Sequence, residues 1–235
     1  MAGMDVVFHQ AAFKSVPKSV QDPVLAETSN GLGTLNVLLA AELNEVRRVV
    51  YASSSSVYGD SPEPIKHEEL PTNPISPYGV SKLAGELYCR VWSRLDRIST
   101  VSLRYFNVFG PGQTADSTYA AVFPAFVSAL LEGRPPKIFG DGDQSRDFTF
   151  VEDVVRANLR AAEADSRVDG QAINICAGAP RTVNEVAESI AKALDTPITP
   201  IHVEERAGDI RHSRGDIGRA GACSIGNRRF HGKTL

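Results

Sequence analysis

The sequence predicts an α/β fold: a doubly wound, mostly parallel sheet with a smaller α/β lobe beside it. Three observations carry that prediction. Short apolar strand-like runs alternate with helical periods, which indicates right-handed βαβ crossovers. One run, "RRVVYASS", is β-branched, ends in serines, and reads as a strand buried on both faces. The chain has 235 residues and is 42% hydrophobic, enough for one large domain or a domain with a small lobe.

In order, "MDVVFHQAA" is a short apolar strand ending in small residues. A helix follows from about Glu27 to Leu43, with Leu32, Leu35, Leu38 and Leu39 at helical spacing. After "RRVVYASS", a Pro- and Glu-rich loop, "GDSPEPIKHEELPTNPISP", leads into a helix from about Tyr78 to Leu95. "TVSLRYFNVFGPG" is a strand running into a Gly/Pro turn, and the texture changes after Pro111. "YAAVFPAFVSALLEG" reads as helix, "PKIFGDG" and "RDFTFV" as short strands, "EDVVRANLRAAEA" as helix and "AINIC" as strand. "TVNEVAESIAKAL" is a helix opened by Thr182 and Glu185 in capping-box spacing. Residues 1–110 are therefore expected to form the sheet domain and 111–217 mainly the smaller lobe, with some segments returning to the sheet. The last stretch, 218–235, is Gly- and Arg-rich without an apolar period, and poor order is expected there.

Charged residues make up 23% and the net charge is -3, so the surface carries no electrostatic footprint for nucleic acid or membrane. Cys89, Cys176 and Cys223 show neither CxxC nor Cys/His ligand spacing, which argues against a disulfide framework or a metal site. No apolar run approaches the ~18 residues of a membrane span, and a cytoplasmic location is expected.

The chemistry lies in two segments. "SPYGVSKLAGE" puts Tyr78 and Lys82 one helical turn apart on one face. A phenol titrates near 10 and is a poor base, but a nearby ammonium favours the phenolate. "YASSSSVYGD" supplies hydroxyls at the carboxyl end of a parallel strand, where such sheets place their sites. At least one of those serines is expected to hold a substrate hydroxyl while Tyr78 removes its proton. The reading requires one of those serines, Tyr78 and Lys82 to converge on one cleft.

Together with "HQAA", "LRYFNVFGP", "GDGxxxRDFxxVxD" and "ERAGDIRHS", these motifs run in one order from Asp5 to about Ile217. In that set and order the chain resembles the extended short-chain dehydrogenase/reductases of the nucleotide-sugar epimerase/dehydratase family, most closely the UDP-hexose 4-epimerases. The resemblance implies a Rossmann-like sheet, NAD as cofactor and a UDP-sugar as substrate. It implies Tyr78 as catalytic base, Lys82 as its partner and a holder of the nicotinamide ribose, and Ser54 as the group bonded to the reacting hydroxyl. Ser55 and Ser56 then line the sugar site or simply fill the turn. His9, Ala11 and Ala12 fall where the backbone passes the cofactor, although a buried, satisfied ring is the alternative for His9. Lys14 and Ser15 follow where cofactor or substrate is touched, or lie in a solvated loop. Asn30 falls near the active site, with a kink or cap as its alternative. Tyr105, in "LRYFN", falls in the cofactor set. Asn107, Arg146, Arg206 and Asp209 match the nucleotide clamp, in which a planar guanidinium suits a diphosphate. Phe139 either stacks near the uracil or is core.

Within the family, dehydratases resemble "TDEVYG" where this chain has Ser54, Ser55 and Ser56. Serines cannot supply the acid and base for water loss, so C4 epimerisation is favoured over dehydration or decarboxylation, and another family activity, an NDP-sugar dehydratase or reductase, is an alternative. Ser213 matches a gate position, and its small size implies room for a 2-acetamido group. Family members often dimerise through a helix pair, for which 27–43 and 78–95 are the candidates. No Gly-rich phosphate-binding turn precedes Asp5, and "MAGMDVVFHQAA" resembles a start at an internal methionine. An N-terminally truncated chain of low activity and poor stability is therefore expected. A non-catalytic remnant that binds nucleotide sugars or partners is the alternative.

Overall fold

The computed structural model describes residues 1–114, 121–205 and 210–226. The chain opens with β1 (Val6–His9), α1 (Val16–Gln21) and α2 (Pro23–Glu27). A π-helical turn over Thr28–Leu32 leads into α3 (Gly33–Leu43) and then β2 (Arg48–Ser54). A 3-10 turn at Ser55–Tyr58 and a long loop precede α4 (Pro77–Arg94), β3 (Ser99–Tyr105) and β4 (Asn107–Phe109). Then come α5 (Val122–Leu131), β5 (Lys137–Phe139), β6 (Ser145–Arg146), β7 (Phe148–Phe150) and α6 (Val151–Glu163). The chain ends with β8 (Gln171–Ile175), β9 (Arg181–Thr182), α7 (Val183–Ala193), β10 (Ile201–Val203) and α8 (Gly218–Ala222).

The expected parallel sheet is present, in the order β1-β2-β3-β8. Every residue of β2 is buried, as its uninterrupted apolar run requires. Alternation sends Val49 and Tyr51 to one face, against Leu38 and Ala41 of α3 and Trp92 of α4. It sends Val50, with Val101 and Leu103 of β3, to the other face, against Val154, Ala157 and Ala161 of α6. Each fully buried Val or Leu among them contributes about 1.5–3 kcal/mol. A second cluster packs Phe126 and Leu130 of α5 against Val186 and Ile190 of α7 and Ile138 of β5.

The local signals explain the helix ends. Ser76 caps α4 by accepting the Gly79 N–H at 3.1 Å, and Pro77 occupies the first turn, where its missing N–H costs nothing. Thr182 and Glu185 form the expected capping box on α7.

Two expectations are corrected. The helix expected over 27–43 is interrupted by the π-turn, whose central Asn30 is buried and bonded outside its own helix. Poor order from residue 218 does not hold for 218–226. There α8 places Ala220 and Ile225 fully in the core beside Val168 and Ile173, and Arg219 donates to the Ala172 carbonyl at 3.2 Å. Two apolar contacts suffice to dock so short a segment, too few to show as a period. Residues 227–235 lie outside the described residues.

Candidate active site

The carboxyl ends of β1, β2 and β3 open on one side of the sheet, and the first turn of α4 lies across the end of β2. Tyr78 and Lys82 project from α4, and Ser54 closes β2 and is buried. These side chains converge. Ser54 lies close enough to the Tyr78 phenol to favour its ionised form, and Lys82 Nζ lies 6.0 Å from the centroid of the Tyr78 ring. Ser54 Oγ accepts the Ser56 N–H at 3.2 Å and lies 3.1 Å from Ser56 Oγ. Lys82 is buried and donates to the Ala52 carbonyl at 2.8 Å.

The electrostatics differ from the expected acidified phenol. Burial pushes the Tyr78 phenol above its ordinary 10, with the Ser54 hydroxyl opposing the rise. Burial lowers the Lys82 ammonium to about 8. Lys82 faces the ring and bonds to a carbonyl, so it does not offset the desolvation of the phenol.

A family model described as "NAD dependent epimerase/dehydratase family" matches residues 1–176. The chain belongs to that family. Among relatives of this epimerase/dehydratase-family chain, UDP-glucose 4-epimerase of Mycolicibacterium smegmatis is 42% identical over 217 residues, covering 92% of this chain and 68% of the relative. A UDP-N-acetylglucosamine 4-epimerase structure from Methanobrevibacter ruminantium, in complex with UDP-N-acetylmuramic acid, superposes with a TM-score of 0.90 at 41% identity. The superposition covers 94% of this chain and 70% of that one. UDP-glucuronic acid 4-epimerase from Bacillus cereus, in complex with UDP-glucuronic acid and NAD, gives a TM-score of 0.85 at 33% identity, covering 93% and 68%.

The remaining predicted residues sort by what holds them. His9 takes its bland alternative: the buried ring lies 3.0 Å from Thr34 Oγ1 and packs on Tyr51. Burial, and then the Lys82 charge, push its imidazole down to about 4, so it stays neutral. Ala11 and Lys14 are exposed and Ala12 is half-buried, in the loop after β1. Asn30 accepts the Phe13 N–H at 2.7 Å and donates to the Phe13 carbonyl and to Ser81 Oγ. It clamps that loop to α4, a bracket on the site with its side-chain bonds spent on the protein. Ser15 caps α1 by accepting the Lys18 N–H at 3.3 Å. The Tyr105 hydroxyl bonds to Gln10 and Asn158 and ties the β1 loop to α6.

Ser55 and Ser56 begin the 3-10 turn. Asn107 is exposed on β4, and its register partner Phe148 lies two residues beyond Arg146. Arg146 donates to the Ser145 carbonyl at 2.8 Å, and the Ser213 N–H donates to that same carbonyl at 3.0 Å. Arg146 and Ser213 therefore share one neighbourhood, and Asn107 lies on the strand paired with β7. Phe139 is half-buried at the end of β5, and its carbonyl accepts a bond from Gln144. Arg206 and Asp209 lie outside the described residues.

Sequence reasoning passed over Tyr51, Ser53, Gly85, Glu86 and Arg104 beneath the site, and Asp147 next to Arg146. Asp147 is fully buried and accepts N–H bonds from Ala177, Gly178 and Gly215. The signal within reach was Glu86, which extends the Tyr78–Lys82 spacing by one more turn.

The residues present fit the nicotinamide-ribose half of a dinucleotide. An ammonium has three donors, and the bond to Ala52 uses one of those on Lys82. The loop of small residues Ala11 and Ala12 lies at the adjoining strand end. Among the described residues, no group of His, Cys, Asp and Glu is placed to hold a metal ion, and no helix is long and apolar enough to cross a membrane.

Proposed function

We propose that the site performs C4 epimerisation of a UDP-hexose with NAD as cofactor. The observation that carries this reading is the convergence of Ser54, Tyr78 and Lys82 at the carboxyl end of the sheet. Relatives named as UDP-sugar 4-epimerases support the choice of substrate, and NAD in the Bacillus cereus complex supports the cofactor. Bound NAD supplies hydride acceptance and return at C4, together with a cationic ring that favours phenolate nearby. Ser54 holds the O4 hydroxyl, and Tyr78 takes its proton and later returns it to O4. Lys82 holds the nicotinamide ribose with its remaining donors. Since every step runs through one base, the carboxylate pair of a dehydratase is not needed, which agrees with serines at 55 and 56.

Asn107, Arg146, Arg206 and Asp209 form the proposed nucleotide clamp. Phe139 lies toward the base, and Ser213 leaves room for an acetamido group. The working unit is a homodimer joined through α3 and α4.

Calorimetric titration of the full chain with NAD and with UDP-sugars, followed by a coupled epimerase assay, tests the reading. Binding of both is expected, with turnover reduced about 10²–10⁴-fold in Tyr78→Phe. UDP-sugar binding without NAD binding would leave a nucleotide-sugar binder and exclude the epimerase. Turnover of UDP-glucose/galactose with refusal of their 2-acetamido counterparts would overturn the role given to Ser213.

A further inference from the structure

Beneath the catalytic cluster lies a buried ion pair that the proposed reaction does not use. Glu86 of α4 grips Arg104 of β3 through two parallel hydrogen bonds of 2.9 and 2.8 Å, and both side chains are almost wholly buried. Arg104 is the register partner of Ser53, so the two sit side by side on adjacent strands. The Ser53 hydroxyl donates to the same Glu86 carboxylate. One carboxylate therefore references α4 to β2 and β3 at once.

Two further contacts repeat the tie. The Tyr51 hydroxyl donates to the Lys82 carbonyl at 3.3 Å, and Lys82 Nζ donates to the Ala52 carbonyl at 2.8 Å. Residues 51, 52 and 53 are thus each fastened to the turn of α4 spanning 82 to 86. Gly85 makes the approach possible, because a Cβ there would collide with the Tyr51 ring and hydroxyl. Since a strand rises about 3.3 Å per residue and alternates faces, slipping β2 by one position would turn Ser53 away from Glu86 and misplace Ser54.

We infer that Glu86 and Arg104 are positioning residues: their ion pair, joined by Ser53, sets the register of α4 against β2 and so holds Tyr78 and Lys82 over Ser54. This deepens the proposed function and rests on it for the chemistry of the groups held. Stability alone gives weak reason for the pair, because well-packed apolar residues often replace a buried ion pair without loss. Apolar contacts fill space but do not select one axial position. Two parallel charge-assisted hydrogen bonds do.

The test separates these two roles. 3,5-Difluorotyrosine is placed at position 78 of the full chain, and its phenol, which titrates in the neutral range, is followed by fluorine NMR. Ser54→Ala is expected to raise its midpoint in the parent chain, because the Ser54 hydroxyl favours the phenolate. The same substitution is then made with Glu86→Met and Arg104→Leu together. The expected result is a native urea midpoint with at least an approximately twofold smaller response to Ser54→Ala. An undiminished response at native stability overturns the inference, as does the absence of any response in the parent. Should the apolar pair prevent folding, Ser53→Ala, which removes one hydroxyl, makes the same comparison with the same two outcomes. Neither sugar nor dinucleotide is needed, so a failure to bind UDP-sugar would sink the proposed function without touching this result.

Discussion

The four consecutive serines, Ser53 to Ser56, work differently because a strand alternates its faces and then ends. Ser53 points to Glu86, Ser54 to Tyr78, and Ser56 supports Ser54 as the turn begins. The sequence marked the cluster as more than filler, but the division of labour depends on where β2 stops. His9 shows the reverse. The motif put its backbone along the cofactor and left a buried, satisfied ring as the alternative; packing sets that ring against Thr34 and Tyr51. Its imidazole lies at about 4 in the folded chain against the usual 6.5, so the unfolded chain binds the proton more tightly. Its contribution is therefore present above pH 6.5 and is lost as pH falls toward 4, about 3 kcal/mol in all. We expect His9→Gln to flatten the fall in urea midpoint between pH 7 and 4.5; parallel curves for the two chains would refute this. Gly85→Ala is expected to destabilise by about 1–3 kcal/mol despite its better helix propensity, because the added methyl meets the buried Tyr51 ring. Equilibrium denaturation reads the sign directly.

At the scale of elements, α4 has two working faces. Tyr78, Lys82 and Glu86 line one, turned to the sheet end, while Val80, Leu87, Val91 and Leu95 lie exposed. Leu39 and Leu43 of α3 are exposed as well. Covering these apolar side chains is the physical motive for the proposed dimer. Sedimentation is expected to report a dimer for the parent chain and a monomer for Leu87→Glu with Val91→Glu; a monomeric parent would rule the interface out. A helix from about Tyr78 to Leu95 was expected from the sequence, and it put Tyr78 and Lys82 on one face in advance. The π-turn of 28–32 was not legible, because its cause is the bonding of Asn30 to Phe13, 17 positions away along the chain. Apolar period alone describes a continuous helix there.

For the whole molecule, Asp147 ties the segment that follows β8 to the chain around Gly215. Its carboxylate takes three N–H groups, from the segment after β8 and from Gly215. It therefore fixes the segments beside Arg146 and Ser213. Asp147→Ala would strand those donors in the interior and is expected to cost on the order of 3 kcal/mol. The measurement is the urea midpoint, and a change below about 0.5 kcal/mol, typical of surface positions, would remove Asp147 from this role.

The sheet's parallel sense, the spacing of Tyr78 and Lys82 and the capping of α7 were legible in the sequence itself, whereas the order of the strands appeared only in the folded chain. Each of the legible features is a local property of spacing, side-chain shape or apolar period. The state of the Tyr78 phenol, the neutral His9 and the Glu86–Arg104 pair were decided only in the folded molecule. Burial and a partner on another strand create them, and neither can be read from residues that are neighbours along the chain.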